Sequence, residues 1–296
     1  MLKLKKFILF TLVLHLSPSL SAQTSSPLHI ISKFAYYGLS LLPMIDAVSL
    51  IDKCKTKHIK TKHINITLSN FAIKNTKSIV YPIPSNPFPF NSFWNNPSYI
   101  ENIKEDINSL KCPVRTFSNR IDGELFSTCN EICINENFLQ EAFYDENVYS
   151  QITAFLHHEE SHVINNEIRK SACLSLIFPI ALLGIRHITT STSILGEGFV
   201  GGFINLYTSF LALSAYSKYC ELRADDAIPV EKINGAKNFL IERDELRRRF
   251  QRQKPRPSYI PSIKDYFSLL FSFGSHPPVT IRLARFDKRL LQQPKT

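Results

Sequence analysis

The sequence predicts a mainly α-helical fold with a small β-sheet, an α+β domain, and three observations carry that reading. Apolar residues recur at helical spacing through "ENVYSQITAFLHHEESHVINNEIRK", with Ile152, Phe155, Leu156 and Val163 in step. Two further apolar stretches, residues 171–185 and 194–216, are long enough for helices but show no alternation. The segment "EICINENF", residues 131–138, alternates enough to be a short strand. With 296 residues and 44% of them apolar, the chain has room for a sizeable core and is not globally disordered. Its formal charge of +10 suits an anionic partner such as lipid headgroups or nucleic acid.

Along the chain, residues 1–22 carry three lysines, an apolar run and then small residues, which reads as a signal peptide or signal anchor. Residues 34–51 form a second apolar stretch, a candidate transmembrane helix weakened by Pro43 and Asp46. The following "DKCKTKHIKTKHIN" repeats KTKHI in tandem at 55–59 and 60–64 and reads as a solvated basic loop, with His58 and His63 exposed rather than ligating. If 34–51 spans a membrane, those lysines draw its end to the cytoplasmic side. The prolines of "YPIPSNPFPFNSFWNNP" require loop there. Cys54, Cys112, Cys129 and Cys133 permit two disulfides if this half is exported. On an extended strand Cys129 and Cys133 would lie roughly 13 Å apart, too far to bridge each other.

Residues 171–185, about 15 in number against the roughly 20 a bilayer needs, predict either an interfacial helix or a buried core helix. With 194–216 and the short "RHITTSTS" turn they make an apolar helical hairpin, 171–216. A charged helix over 230–252 ends in "RRRFQRQKPRP", which reads as a solvated or lipid-facing end, since no nucleic-acid motif accompanies it. The chain closes with "IKDYFSLLFSF" and "GSHPPVTIRLARF".

The chemistry concentrates in "FLHHEESHVINN", where His158 and His162 give HExxH. Residues four apart share a helix face, so both imidazoles can offer a nitrogen to one ion at about 2.0–2.1 Å. Glu159 stands about 100° round, able to take a proton from an attacking water without ligating the metal. His157 and Glu160 point elsewhere. A catalytic zinc site needs a third protein ligand and leaves a position open. The best candidate is Glu221 in "SKYCELRADDA", with Asp225 one turn on to brace the helix or hydrogen-bond a ligating histidine. Taken alone, Glu221 and Asp225 would read as a solvated acidic patch pairing with Arg223 or Lys218. His276 is a further candidate.

Taken together, HEESH at 158–162, S-K-x-x-E-x-x-A-D at 217–225 and S-H-P-P-x-x-x-R at 275–282 resemble the HtpX and CAAX-prenyl-protease family of zinc metallopeptidases, which belongs to the gluzincins. The resemblance covers roughly residues 115–290 and implies a gluzincin-like metallopeptidase domain within 53–296. It implies that His158, His162 and Glu221 bind one Zn2+ and that Glu159 is the general base. It further implies that His276 stabilises the oxyanion and that Arg282 forms an ion pair steadying the site helices, with Asp225 its partner. The family's strand that pairs with extended peptide substrate would fall at 131–135. The chain departs from the family at Glu160 and Ser161, usually an apolar then a small residue, and at Lys218, usually arginine. The expectation is a membrane-associated zinc endopeptidase acting on membrane or misfolded proteins, with membrane lipid but no nucleic acid as partner. The alternative is a catalytically silent or sensory membrane protein on the same fold. A hairpin of 7–20 and 34–51 would put the active site on the cytoplasmic side of the cell membrane, a cleaved signal outside it.

Overall fold

The computed structural model describes residues 27–45, 61–63, 97–117, 125–142, 145–189, 199–254 and 258–292. Residues 1–22, the end of the 34–51 stretch, Cys54 and the proline-rich loop lie outside the described residues. The chain divides into two compact units, one of residues 1–55, 168–218 and 270–276, the other of 56–167, 219–269 and 277–296.

The first unit is helical. Helix α1, Pro27–Leu41, stops short of Pro43, and the described part of the 34–51 stretch, Phe34–Ile45, is apolar and helical. Tyr36, Leu41 and Met44 pack with Leu176 and Leu183. In α6, Phe199–Ala227, Asn205 donates to Tyr36 Oη and Ser40 Oγ at 3.2 Å each. A Cβ on Gly202 would lie 3.1 Å from the Tyr36 Cα, so α1 and α6 meet nearly backbone to backbone. Helix α5, Glu167–Thr189, is longer than the apolar run inside it because charged turns extend both ends. Its 23 residues reach about 34 Å against a hydrocarbon core of about 30 Å. Glu167–Ile185 is long and apolar enough to cross a membrane, and 22% of its apolar window is buried, which counts against the core-helix reading of 171–185.

The second unit carries a four-stranded sheet in the order β1-β2-β4-β3, from Thr61–His63, Val114–Phe117, Leu125–Ser127 and Ile132–Asn135. β1 and β3 run antiparallel to their neighbours, and β2 and β4 are parallel. Part of the basic repeat is therefore an edge strand, not a loop: Lys62 sits opposite Thr116, and lysine on an edge discourages further pairing. The placement of the substrate-pairing strand at 131–135 is also overturned. β4 is interior, hydrogen-bonded on both sides and buried at all four positions, so its backbone has no free edge. The strand ends at Asn135, whose side chain caps α3, Glu136–Glu141, by accepting from the Asn137 N–H at 2.9 Å.

A helix the sequence reading passed over, α2, Pro97–Ser109, opens on proline at its first turn and buries Ile103 and Ile107, four apart. Helix α4, Glu146–Ile164, starts where Asp145 accepts from the Asn147 N–H at 2.8 Å. It lies between two cores. Ile152, Leu156 and Val163 face Ile103, Val114, Ile132 and Leu139, whereas Ala154 and Phe155 face Ile233, Ala236 and Leu240 of α7, Ile233–Phe250. Leu283 and Phe286 of α9, Val279–Leu291, complete the second core. The remaining helices are α6, Phe199–Ala227, and α8, Ile263–Phe271. A four-residue period on a helix clamped from both sides leaves its polar stripe only one direction to point.

Candidate metal centre

That stripe holds His158 and His162, and the C-terminal turns of α6 bring Glu221 and Asp225 to it, all within the second unit. One donor atom from each of His158, His162 and Glu221 lies within 4.8 Å of the others, a group that could hold a metal ion. The two Nε2 atoms are 3.1 Å apart, and each is 3.6 Å from an oxygen of Glu221.

The opposite ring nitrogens both face carboxylates. His158 Nδ1 is 3.1 Å from Asp225 Oδ1, its N–H not pointing straight at the oxygen, and His162 Nδ1 donates to Glu167 Oε2. Carboxylates only accept, so the ring protons belong on Nδ1, an assignment that follows from the partners. Both Nε2 lone pairs then confront each other and the Glu221 carboxylate. With both rings neutral, three lone-pair donors at such separations repel unless a cation, a proton or a metal ion, lies among them, and the residues present fit a metal.

Arg282 anchors Asp225 with two bonds, from Nε at 2.7 Å and Nη2 at 2.5 Å, and stands 3.5 Å from Glu221. Asp225 and Arg282 are buried, and such charges persist inside a protein only when paired. His158 is 2% exposed. Burial alone would lower its pKa, but hydrogen bonding to Asp225 and Glu221 and their charges push it up to about 10. The pocket thus favours positive charge. Glu159, half-buried beside His158, has no hydrogen-bond or ion-pair partner among the described residues.

Other residues singled out in the sequence have separate work. Glu160 accepts from the Lys111 backbone N–H at 2.5 Å just past α2, which explains a carboxylate where the family usually has an apolar residue. His157 lies 3.2 Å from Lys232 Nζ, which pairs with Asp106. Burial and that ammonium hold the His157 imidazole below its ordinary pKa. His276 is exposed in the turn before α9 and belongs to the first unit. In that unit Lys218 is buried and donates to Ser272 O at 2.6 Å. Ser214 donates to Gly274 O and Ser217 to Ser275 O, so the backbone leading to His276 is held from α6.

The sequence reading missed Glu167, and the acidic-patch alternative it weighed had paired Arg223 with Glu221 or Asp225. Arg223 pairs with Glu167, not with the acidic pair on its own helix. The only available signal was an acidic residue directly after the helix-ending Asn165-Asn166.

The model of peptidase family M48 matches residues 130–290, spanning all three motifs. The chain belongs to peptidase family M48. An M48 member is a peptidase, a hydrolase of peptide bonds whose substrate is a peptide or protein, and here it takes the mainly helical form with a small sheet. No curated protein and no solved structure matches the chain.

Proposed function

We propose that this M48 peptidase is a zinc-dependent endopeptidase, attached to a membrane through α5, that cuts extended segments of membrane-bound or misfolded proteins. The observation that carries the reading is the donor geometry. Donors at about 2.0–2.1 Å from a tetrahedral zinc stand about 3.3 Å apart; the two Nε2 atoms are 3.1 Å apart, and the Glu221 carboxylate straddles them, Oε2 at 3.6 Å from His158 and Oε1 at 3.6 Å from His162. His158, His162 and Glu221 would hold one zinc per chain. Zinc bound there supplies Lewis acidity to the scissile carbonyl and the attacking water.

Glu159, next to the donors and uncommitted, takes a proton from the water as its oxygen adds to the carbonyl carbon. It then delivers that proton to the amide nitrogen, and the C–N bond breaks as the amine leaves. The oxyanion-stabilising role of His276 rests on the resemblance of its SHPP motif to the family's. Asp225 and Arg282 orient His158. With both sides of β4 taken, the substrate strand pairs along the outer edge of β3, the sheet edge beside β4.

Exposed Ile177, Ile180 and Ile185 on α5 suit a lipid phase. As to sidedness, Cys129 is disulfide-bonded, whereas Cys112, Cys133, Cys173 and Cys220 are free, so a second bridge within the early set is not made. A structural disulfide persists in an oxidising compartment, which favours the outer face over the cytoplasmic side to which the lysines point. Reporter fusions at about residue 70 decide between the two faces.

The catalytic reading is tested by zinc content and casein cleavage of wild type and Glu159→Gln. Zinc kept with cleavage lost supports it. Equal cleavage by both, or no bound zinc, overturns it. No cleavage by either protein would return the chain to the silent-scaffold alternative.

A further inference from the structure

We propose that Glu167, locked by Arg223, is the positioning residue of His162, holding the Nδ1 proton so that Nε2 aims at the metal position. The inference rests on the proposed metal role of His162 and adds to it a residue pair that no motif contains.

Its origin is a single backbone event. Five residues further on in an unbroken helix, residue 167 would stand about 140° round from His162 and face away. Helix α4 ends instead at Asn165, and Asn166 adopts a left-handed φ of 52°, which asparagine tolerates better than most residues. The helix is broken there, and Glu167, the first residue of α5, has its carboxylate against the His162 imidazole.

Glu167 is 4% exposed, and a carboxylate that deep needs compensation. Arg223 supplies it, with Nε 3.2 Å from Oε1 and Nη2 donating to the same oxygen. The two imidazoles are therefore backed alike: His158 by Asp225 held on Arg282, His162 by Glu167 held on Arg223. Arg223 sits two residues after Glu221 on α6, so one helical turn offers both the third donor and the clamp on the second. Without Glu167 the His162 ring can turn about its side chain and move its proton to Nε2, where it blocks a metal. Outer carboxylate partners of this kind fix tautomer and ring orientation in metal sites generally.

The test uses the full-length protein as wild type, Glu167→Ala, Glu167→Gln, Arg223→Gln and His162→Ala. Zinc affinity is measured by competition with a chromophoric chelator, the donor set by the visible spectrum after cobalt substitution, and folding by circular dichroism of the zinc-free proteins. Glu167→Ala is expected to weaken zinc binding about 10–100-fold and to alter the cobalt bands. Glu167→Gln keeps an accepting oxygen and should recover part of the loss, and Arg223→Gln should fall between. A residue acting only on fold stability would change the zinc-free melt and leave affinity and spectrum alone. If Glu167→Ala does not fold, the other two variants carry the same expectation. Affinities within about twofold of wild type in all the Glu167 and Arg223 variants, with His162→Ala impaired, overturn this inference alone. Wild-type protein that binds no zinc overturns the metal reading and this inference with it.

Discussion

Asp225 and Arg282 in the second unit are fully enclosed charges, each with an oppositely charged partner, whereas Ile177, Ile185, Val200 and Phe203 in the first unit are apolar and more than half exposed. The second unit places ions in a low-dielectric interior and answers each with hydrogen bonds, so its interior is set by geometry. The first leaves apolar area uncovered by protein, which a water-facing helix rarely does on this scale. Folding stability should therefore respond sharply to single changes in the second unit and weakly to changes on the outer face of the first.

The largest expected effect is from Arg282→Ala, which strands the Asp225 carboxylate in the interior. Denaturant unfolding followed by circular dichroism should show a loss of about 3–5 kcal/mol. Arg285→Ala removes a partner of Asp226 on the same helix, but there the two side chains are 43% and 40% exposed, and the loss should stay under about 1 kcal/mol. Equal losses would mean that burial is not what makes the first pair matter.

Next comes Gly235→Ala. A Cβ at 235 would stand 2.1 Å from the Ser150 carbonyl oxygen, so α7 must move off α4, at a cost of about 1–3 kcal/mol in the same assay. Gly184→Ala in α5 meets nothing within 4 Å and should instead gain up to about 1 kcal/mol of helix stability.

A pH-dependent effect is expected from alkali. Burial, and secondarily the charges of Glu160 and Glu131, pushes the thiols of Cys112 and Cys133 up to about 12. Their folded pKa lies above the unfolded value, so the stability they contribute is complete below about pH 8.5 and is lost as pH rises toward 12. Unfolding free energy measured from pH 8 to 11 should decline less steeply in Cys112→Ala/Cys133→Ala. At pH 8 iodoacetamide should label exposed Cys173 and spare both until the protein unfolds.

The smallest change in stability should come from Val200→Ser and Phe203→Ser, within about 0.5 kcal/mol of wild type. The same variants should sediment less with phospholipid vesicles. Undiminished vesicle binding would show that this face does not meet lipid.

Much of this was readable beforehand. The HExxH face, Glu221 with Asp225 one turn on, and an arginine after the SHPP motif are pairs of local spacings on helices, and the structure brings those five side chains together. Helix α2 was hidden by the prolines before it, since composition over a long window masks a short amphipathic segment. The strand reading at 131–138 stopped too late because Asn135 caps a helix, a choice made by one side-chain hydrogen bond. The substrate edge was misplaced for a different reason: alternation marks a strand, but whether it has a free edge depends on which distant segments pair with it.

The sequence by itself determined the chemical inventory, because the donors repeat at the period of a helix and a helix needs only its own residues to set that period. Tertiary structure alone decided that Glu167 reaches back to His162, that Arg223 serves it in place of its helix neighbours, and that β4 is enclosed. Each of those outcomes depends on a left-handed residue that breaks a helix or on pairing between segments far apart in the chain, where local spacing has no say.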